Sequence, residues 1–73
     1  MDLMVRVFLD RADNELLIAK TLKDLSEDIG SKVMLKIPEK ATFYSAVISH
    51  SYYGIFYSAK AMILTKEIKT SAP

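Results

Sequence analysis

Residues 49–64 read SHSYYGIFYSAKAMIL, and they hold most of the side chains with chemical potential. His50, Tyr53, Tyr57 and Lys60 recur at spacings of three, four and three, so one face of a helix carries all four. A stripe of rings and cations can stack bases and meet phosphates, which makes these four the candidate nucleotide or RNA contacts. His50 is the sole histidine of the chain, and no carboxylate lies three or four residues from it. A lone histidine without cysteine makes no zinc site, so no metal is expected. Ser49 and Ser51 flank His50, but sequence neighbours on a helix point apart, so a serine–histidine pair is rejected. No glycine loop that could cradle phosphate exists. No catalytic residue and no cofactor are therefore assigned.

The competing role for the same stretch is packing. Tyr52, Tyr53, Ile55, Phe56 and Tyr57 point in nearly every direction around a helix axis. A helix that is apolar all round is buried on most sides, and one amphipathic neighbour cannot cover it. Tyr52, Ile55, Phe56, Ala59, Met62 and Ile63 are the expected core or dimer-interface anchors. Gly54 costs up to about 1 kcal/mol inside a helix, and a close helix crossing is the usual reason to keep it.

Two long helices must position these residues. Residues 3–29 are expected to form the first, capped by Asp2, with Val5, Phe8, Ala12, Leu16, Ala19 and Leu22 on its apolar stripe. Arg11–Glu15, Lys20–Asp24 and Lys23–Glu27 are possible pairs four apart, and Gly30 is the expected left-handed terminator. Residues 30–38 are expected to be a connector whose apolar side chains tuck under the bundle. Residues 39–68 form the second helix, starting between Pro38 and Thr42. The fold class is all-α: an antiparallel hairpin of two long helices within a single unit, 1–73, completing a four-helix bundle by dimerisation.

Bulk properties agree with that class. Seventy-three residues allow one domain, and 51% hydrophobic residues exceed what so short a chain can bury alone. Net charge is +1, so a nucleic-acid coat with a global basic excess is excluded. Lys60, Lys66 and Lys69 against Glu67 make the C-terminal part locally basic. No membrane span and no secretory leader are read, so a soluble, cytoplasmic protein is expected.

The stretch FYSAVISHSYYGIFYSAKAMILTKEIK resembles the HEPN family, the helical domains of higher eukaryotes and prokaryotes. Those domains carry a helix with paired tyrosines followed by Phe and Ala-Lys-Ala, matched here by Ala46, Tyr52, Tyr53, Phe56, Ala59, Lys60 and Ala61. FLDRADNELLIAKTLKDL resembles their first helix, so the likeness spans about residues 5–69 and corresponds to the N-terminal half of such a domain. His50 stands where the family has arginine, Gly54 where alanine is common, and Tyr57 where histidine is common. Ribonuclease members place an arginine before a histidine with four to six residues between. That would fall at 43–45, which are Phe43, Tyr44 and Ser45, so the motif is absent. The resemblance implies a non-catalytic module that self-associates and binds nucleotide or a minimal nucleotidyltransferase partner, in a toxin–antitoxin context. The alternatives are a ribonuclease or nucleotide-modifying half-site that acts only once assembled, and a purely structural oligomerising bundle.

Overall fold

A computed structural model describes residues 2–71, with side chains for 2–68; the side chain of Lys69 therefore lies outside the described set. The described residues form three helices and no strand: α1 (Leu3–Glu27), α2 (Ile29–Met34) and α3 (Tyr44–Ser71). The all-α class is thus observed, and no helix among the described residues is long and apolar enough to cross a membrane.

α1 begins where the Asp2 carboxylate accepts from the amides of Met4 (2.8 Å) and Val5 (3.3 Å), satisfying two of the four free donors of the first turn. No glycine or proline interrupts it. It ends at Asp28 rather than running on to residue 29. Asp28 is extended, at φ −97° and ψ 107°, and serves two helices at once. Its amide donates to the Asp24 carbonyl, closing α1. Its carboxylate accepts from the Gly30 amide and the Ser31 hydroxyl, opening α2. A short carboxylate that can hold the next turn's donors competes with helix continuation, and here it wins.

The expected connector is therefore helical over 29–34. Gly30 lies within that helix and has no positive φ, so it terminates nothing. The left-handed residue is Lys36, at φ 57°. Around it the Lys36 amide donates to the Val33 carbonyl and the Ile37 amide to the Lys32 carbonyl, the paired bonds of a Schellman turn. The connector's apolar side chains are not tucked away: Val33, Met34 and Leu35 are exposed, and Ile37 is half-buried. Lys32 is buried instead, its ammonium donating to the Glu39 carbonyl at 2.7 Å.

α3 starts at Tyr44, later than the Pro38–Thr42 window. The cause is tertiary. The Phe43 amide donates across the junction to Ser26 Oγ at 2.7 Å, while the Phe43 carbonyl accepts from Val47. Ser26 in turn donates to the Leu22 carbonyl, so one buried hydroxyl ties the end of α1 to the start of α3.

From that tie the contacts run in opposite directions along the two helices. Glu15 meets His50, Ala12 and Leu16 meet Gly54, and Phe8 meets Tyr57. On α1 the buried residues Val5, Ala12, Ala19 and Ser26 are seven apart, a coiled-coil-like seam. They are small, and so are the buried positions of α3, Gly54 and Ala61. A bare Cα at Gly54 lets the axes approach. A Cβ there would stand 2.7 Å from Leu16 Cδ2, 2.8 Å from Leu16 Cγ and 3.5 Å from the Ala12 carbonyl oxygen.

The result is a plate one helix thick, with Cα extents of 58 × 18 × 11 Å. Its radius of gyration is 16.8 Å, against about 11 Å for a compact chain of this length. Two helices side by side cover only one flank of each other.

Candidate functional site

The helix pairing builds one strip along the α1–α3 seam, and three of the four candidate contacts on α3 meet α1 there. His50 Nδ1 bonds Glu15 Oε2 at 2.5 Å; a carboxylate only accepts, so Nδ1 carries the proton. Tyr57 stacks on Phe8 with ring centroids 6.2 Å apart. The Lys60 ammonium sits 5.3 Å from the Phe8 centroid and 5.2 Å from that of Phe56. Tyr53 differs: it is exposed, and its ring contact is edge-to-face with Tyr52 on its own helix, 5.7 Å away.

α1 supplies residues that the sequence reading did not assign to the site. Phe8, Arg11 and Glu15 fall three and four apart on one face, which was the available signal. Arg11 does not pair with Glu15 as expected. Its guanidinium lies 6.0 Å from the Phe8 centroid and 5.8 Å from that of Tyr57, while Glu15 turns to His50. A planar guanidinium is weakly hydrated and lies well on ring faces, whereas the imidazole offers Glu15 a directed hydrogen bond. Lys20–Asp24 does not form either; Lys23–Glu27, at 3.2 Å, is the one expected pair that does among the described residues.

The strip is thus an aromatic patch with two cations laid over it and a histidine–carboxylate pair at one end. Open rings and cations suit a planar, anionic ligand. The His50–Glu15 pair is only partly buried, and its orientation leaves Nε2 as the free ring nitrogen. In a neutral imidazole such a nitrogen can take a proton from a hydroxyl placed against it. The described residues bring no cluster of three metal-ligating groups together.

The six anchors of the core or dimer-interface reading, Tyr52, Ile55, Phe56, Ala59, Met62 and Ile63, are all exposed in the single chain. α1 covers the opposite side of α3. Ile48, Tyr52, Ile55, Ala59 and Met62 recur at alternating spacings of four and three along this uncovered side. An open groove of about 490 Å³, lined by Val5, Leu9, Ser58, Ala61, Met62, Thr65 and Lys66, borders it. A second, of about 240 Å³, is lined by Phe8, Lys60, Ile63, Leu64 and Glu67.

Three groups at the helix junction have displaced acidities. A hydrogen bond from Lys23, and then one from Tyr44, holds the Glu27 carboxyl below its ordinary value. The Ser31 hydroxyl does the same for Asp28. Donating to Glu27 pushes the Tyr44 phenol up.

Comparison of the chain with family models, curated proteins and solved structures returns no match. The functional reading therefore rests on the geometry and on the residues themselves.

Proposed function

We propose that this chain is a non-catalytic, HEPN-like helical module that works as an assembly of its own copies. In this reading two antiparallel α1–α3 hairpins associate into a four-helix bundle. The assembled module holds a nucleotide, or a minimal nucleotidyltransferase partner, on its aromatic–cationic strip. The observation that carries the reading is the uncovered side of α3, where Tyr52, Ile55, Phe56, Met62 and Ile63 stand exposed in a plate one helix thick. Exposed apolar surface this continuous marks an interaction site. Tyr53 and Lys60, an open ring and a cation on the neighbouring side, supply the nucleotide contact, with His50 and Tyr57 behind them.

The test is mass in solution, by light scattering over a dilution series with helicity read in parallel. A helical dimer is expected. A folded, helical monomer at all concentrations overturns the reading. For the ligand, Tyr53→Ala and Lys60→Ala should each weaken nucleotide binding while leaving mass and helicity unchanged.

One observation favours a second reading. Glu15 orients His50 as a general base would be oriented, which is what a ribonuclease or nucleotide-modifying half-site needs. RNA cleavage by the assembled protein that is lost in His50→Ala, with helicity intact, would establish it. A stable dimer that binds neither nucleotide nor RNA would leave the purely structural bundle.

A further inference from the structure

Resting on the proposed self-association, we infer that the occupant of the uncovered side of α3 is the α3 of a second copy, laid antiparallel about a two-fold axis near Ile55. Three observations lead there.

The first is area. The chain exposes 5724 Å², whereas a compact protein of its 8.2 kDa mass exposes roughly 4,500 Å². The excess is about 1,200 Å² per chain. If each of two copies covers that much, the total is about 2,400 Å², the size of an obligate homodimer interface.

The second is charge. Residues 41–59 contain no Asp, Glu, Lys or Arg. A surface free of charge suffers no like-charge repulsion when it meets itself, and it offers a charged partner nothing to pair with. Self-complementarity is what a two-fold interface requires.

The third decides direction. Ile48, Tyr52, Ile55, Ala59 and Met62 form a four–three seam whose midpoint is Ile55. Pairing it antiparallel about that point sets Tyr52 of one copy opposite Ala59 of the other, and Ile48 opposite Met62. At the Tyr52–Ala59 pair large then meets small. A parallel pairing sets Tyr52 on Tyr52 and leaves Ala59 facing Ala59, a crowd beside a gap. It also stacks Lys60 and Lys66 of the two copies at one end. Antiparallel pairing about Ile55 sets the two copies of Lys60 about 15 Å apart along the axis and the two copies of Lys66 about 33 Å apart. Both separations exceed the screening length of about 8–10 Å. It also opposes the two helix dipoles.

The chain has no cysteine, so single-cysteine variants report the arrangement directly. Ile55→Cys, Ile48→Cys and Met62→Cys would be oxidised alone and in pairwise mixtures, after light scattering and helicity have established that each still assembles. The expected pattern is a disulfide dimer for Ile55→Cys alone, and for the mixture of Ile48→Cys with Met62→Cys. Neither of these last two should link to itself. In the antiparallel dimer the two copies of residue 48 lie about 21 Å apart along the axis, beyond disulfide reach. Self-linking by Ile48→Cys and by Met62→Cys makes the pairing parallel and overturns this inference. A dimer by light scattering that links in none of these variants places the interface on another face and also overturns it. Both results leave self-association standing. A helical monomer removes both the inference and the reading beneath it. As a second measure, Ile55→Lys should give a helical monomer at concentrations where the parent is dimeric. Leu17→Lys, on the exposed side of α1, should leave the dimer intact.

Discussion

The two sides of α3 are built to opposite rules. Its inner side meets α1 through Gly54 and Ala61, set against Val5, Ala12 and Ala19. Its outer side carries Ile48, Tyr52, Ile55, Phe56, Met62 and Ile63, and all of these are exposed. An ordinary small protein buries its large apolar residues and leaves small ones to the periphery. Here small residues buy close approach of two axes but bury little area, and the large side chains remain uncovered. A helix pair of this kind gains modest stability from its own contacts, because hydrophobic stabilisation follows area removed from water. The difference separates two tasks. The inner side sets the spacing and direction of the helices, and the outer side holds the surface with which the proposed assembly forms.

The largest expected effect falls on the outer side. Phe56→Ala should cost about 3–5 kcal/mol in the assembled protein, the range for emptying a phenylalanine site in a core. The loss should shrink on dilution to the point where the copies separate. Thermal melts at several concentrations would check this, and unchanged melting and unchanged mass would remove Phe56 from any interface.

On the inner side, Gly54→Val should cost about 2–3 kcal/mol, because branched methyls would press on Leu16 and the Ala12 backbone. Gly54→Ala should fall near neutrality. Its Cβ would overlap both Cδ2 and Cγ of the partly exposed Leu16, so that side chain must move as a whole, and the gain in helix propensity of about 1 kcal/mol offsets that cost. Equal melting temperatures for the two variants would mean that the close approach at Gly54 is unimportant.

The junction comes next. Ser26→Ala leaves the Phe43 amide without its acceptor and should cost about 1–2 kcal/mol. Amide exchange should quicken at Phe43 before it does so in α3. Lys36→Gly should act in the other direction. It removes the steric cost of a left-handed lysine and should raise stability by up to about 1 kcal/mol. A loss of stability there would mean that the Lys36 side chain makes contacts worth more than the backbone strain.

The smallest effect is in pH dependence at the same junction. The folded-state carboxyl of Glu27 is depressed, chiefly by Lys23 and then by Tyr44. Its contribution is present above the ordinary carboxylate range and is lost as pH falls through the lowered value. The Tyr44 phenol is raised by its bond to Glu27, so its contribution is complete below the ordinary tyrosine value and is lost as pH rises through the raised one. The tyrosinate titration of Tyr44, isolated as the difference between parent and Tyr44→Phe, should have its midpoint above that of the unfolded chain. Glu27→Gln should bring the midpoint back down. A midpoint at or below the unfolded value would mean that the bond is not kept in solution.

Local signals in the chain wrote down the helices. Asp2 as a cap, the three–four spacing of apolar residues over 3–27, and the all-round apolar character of 52–57 suffice for the all-α class. The alignment of His50, Tyr57 and Lys60 on one side was equally legible, because helical spacing fixes which residues share a face. The break at Asp28 was harder to read. An aspartate four residues after Asp24 fits both a helix interior and a cap, and the choice depended on Gly30 and Ser31 offering donors at the right places.

Only the tertiary structure decided which side of α3 would be covered, since periodicity does not rank the sides of a helix that is apolar all round. Gly54 hinted at the answer, but α1 had to supply Ala12 and Leu16 at the matching height. The partners of the strip were also beyond local reading. Glu15 is 35 residues from His50, and its choice of imidazole over the nearby Arg11 follows from which helix lies across from it. Sequence spacing dictates what a helix presents. What answers it is set by the register of the helix packed against it, and that register is a property of the whole chain.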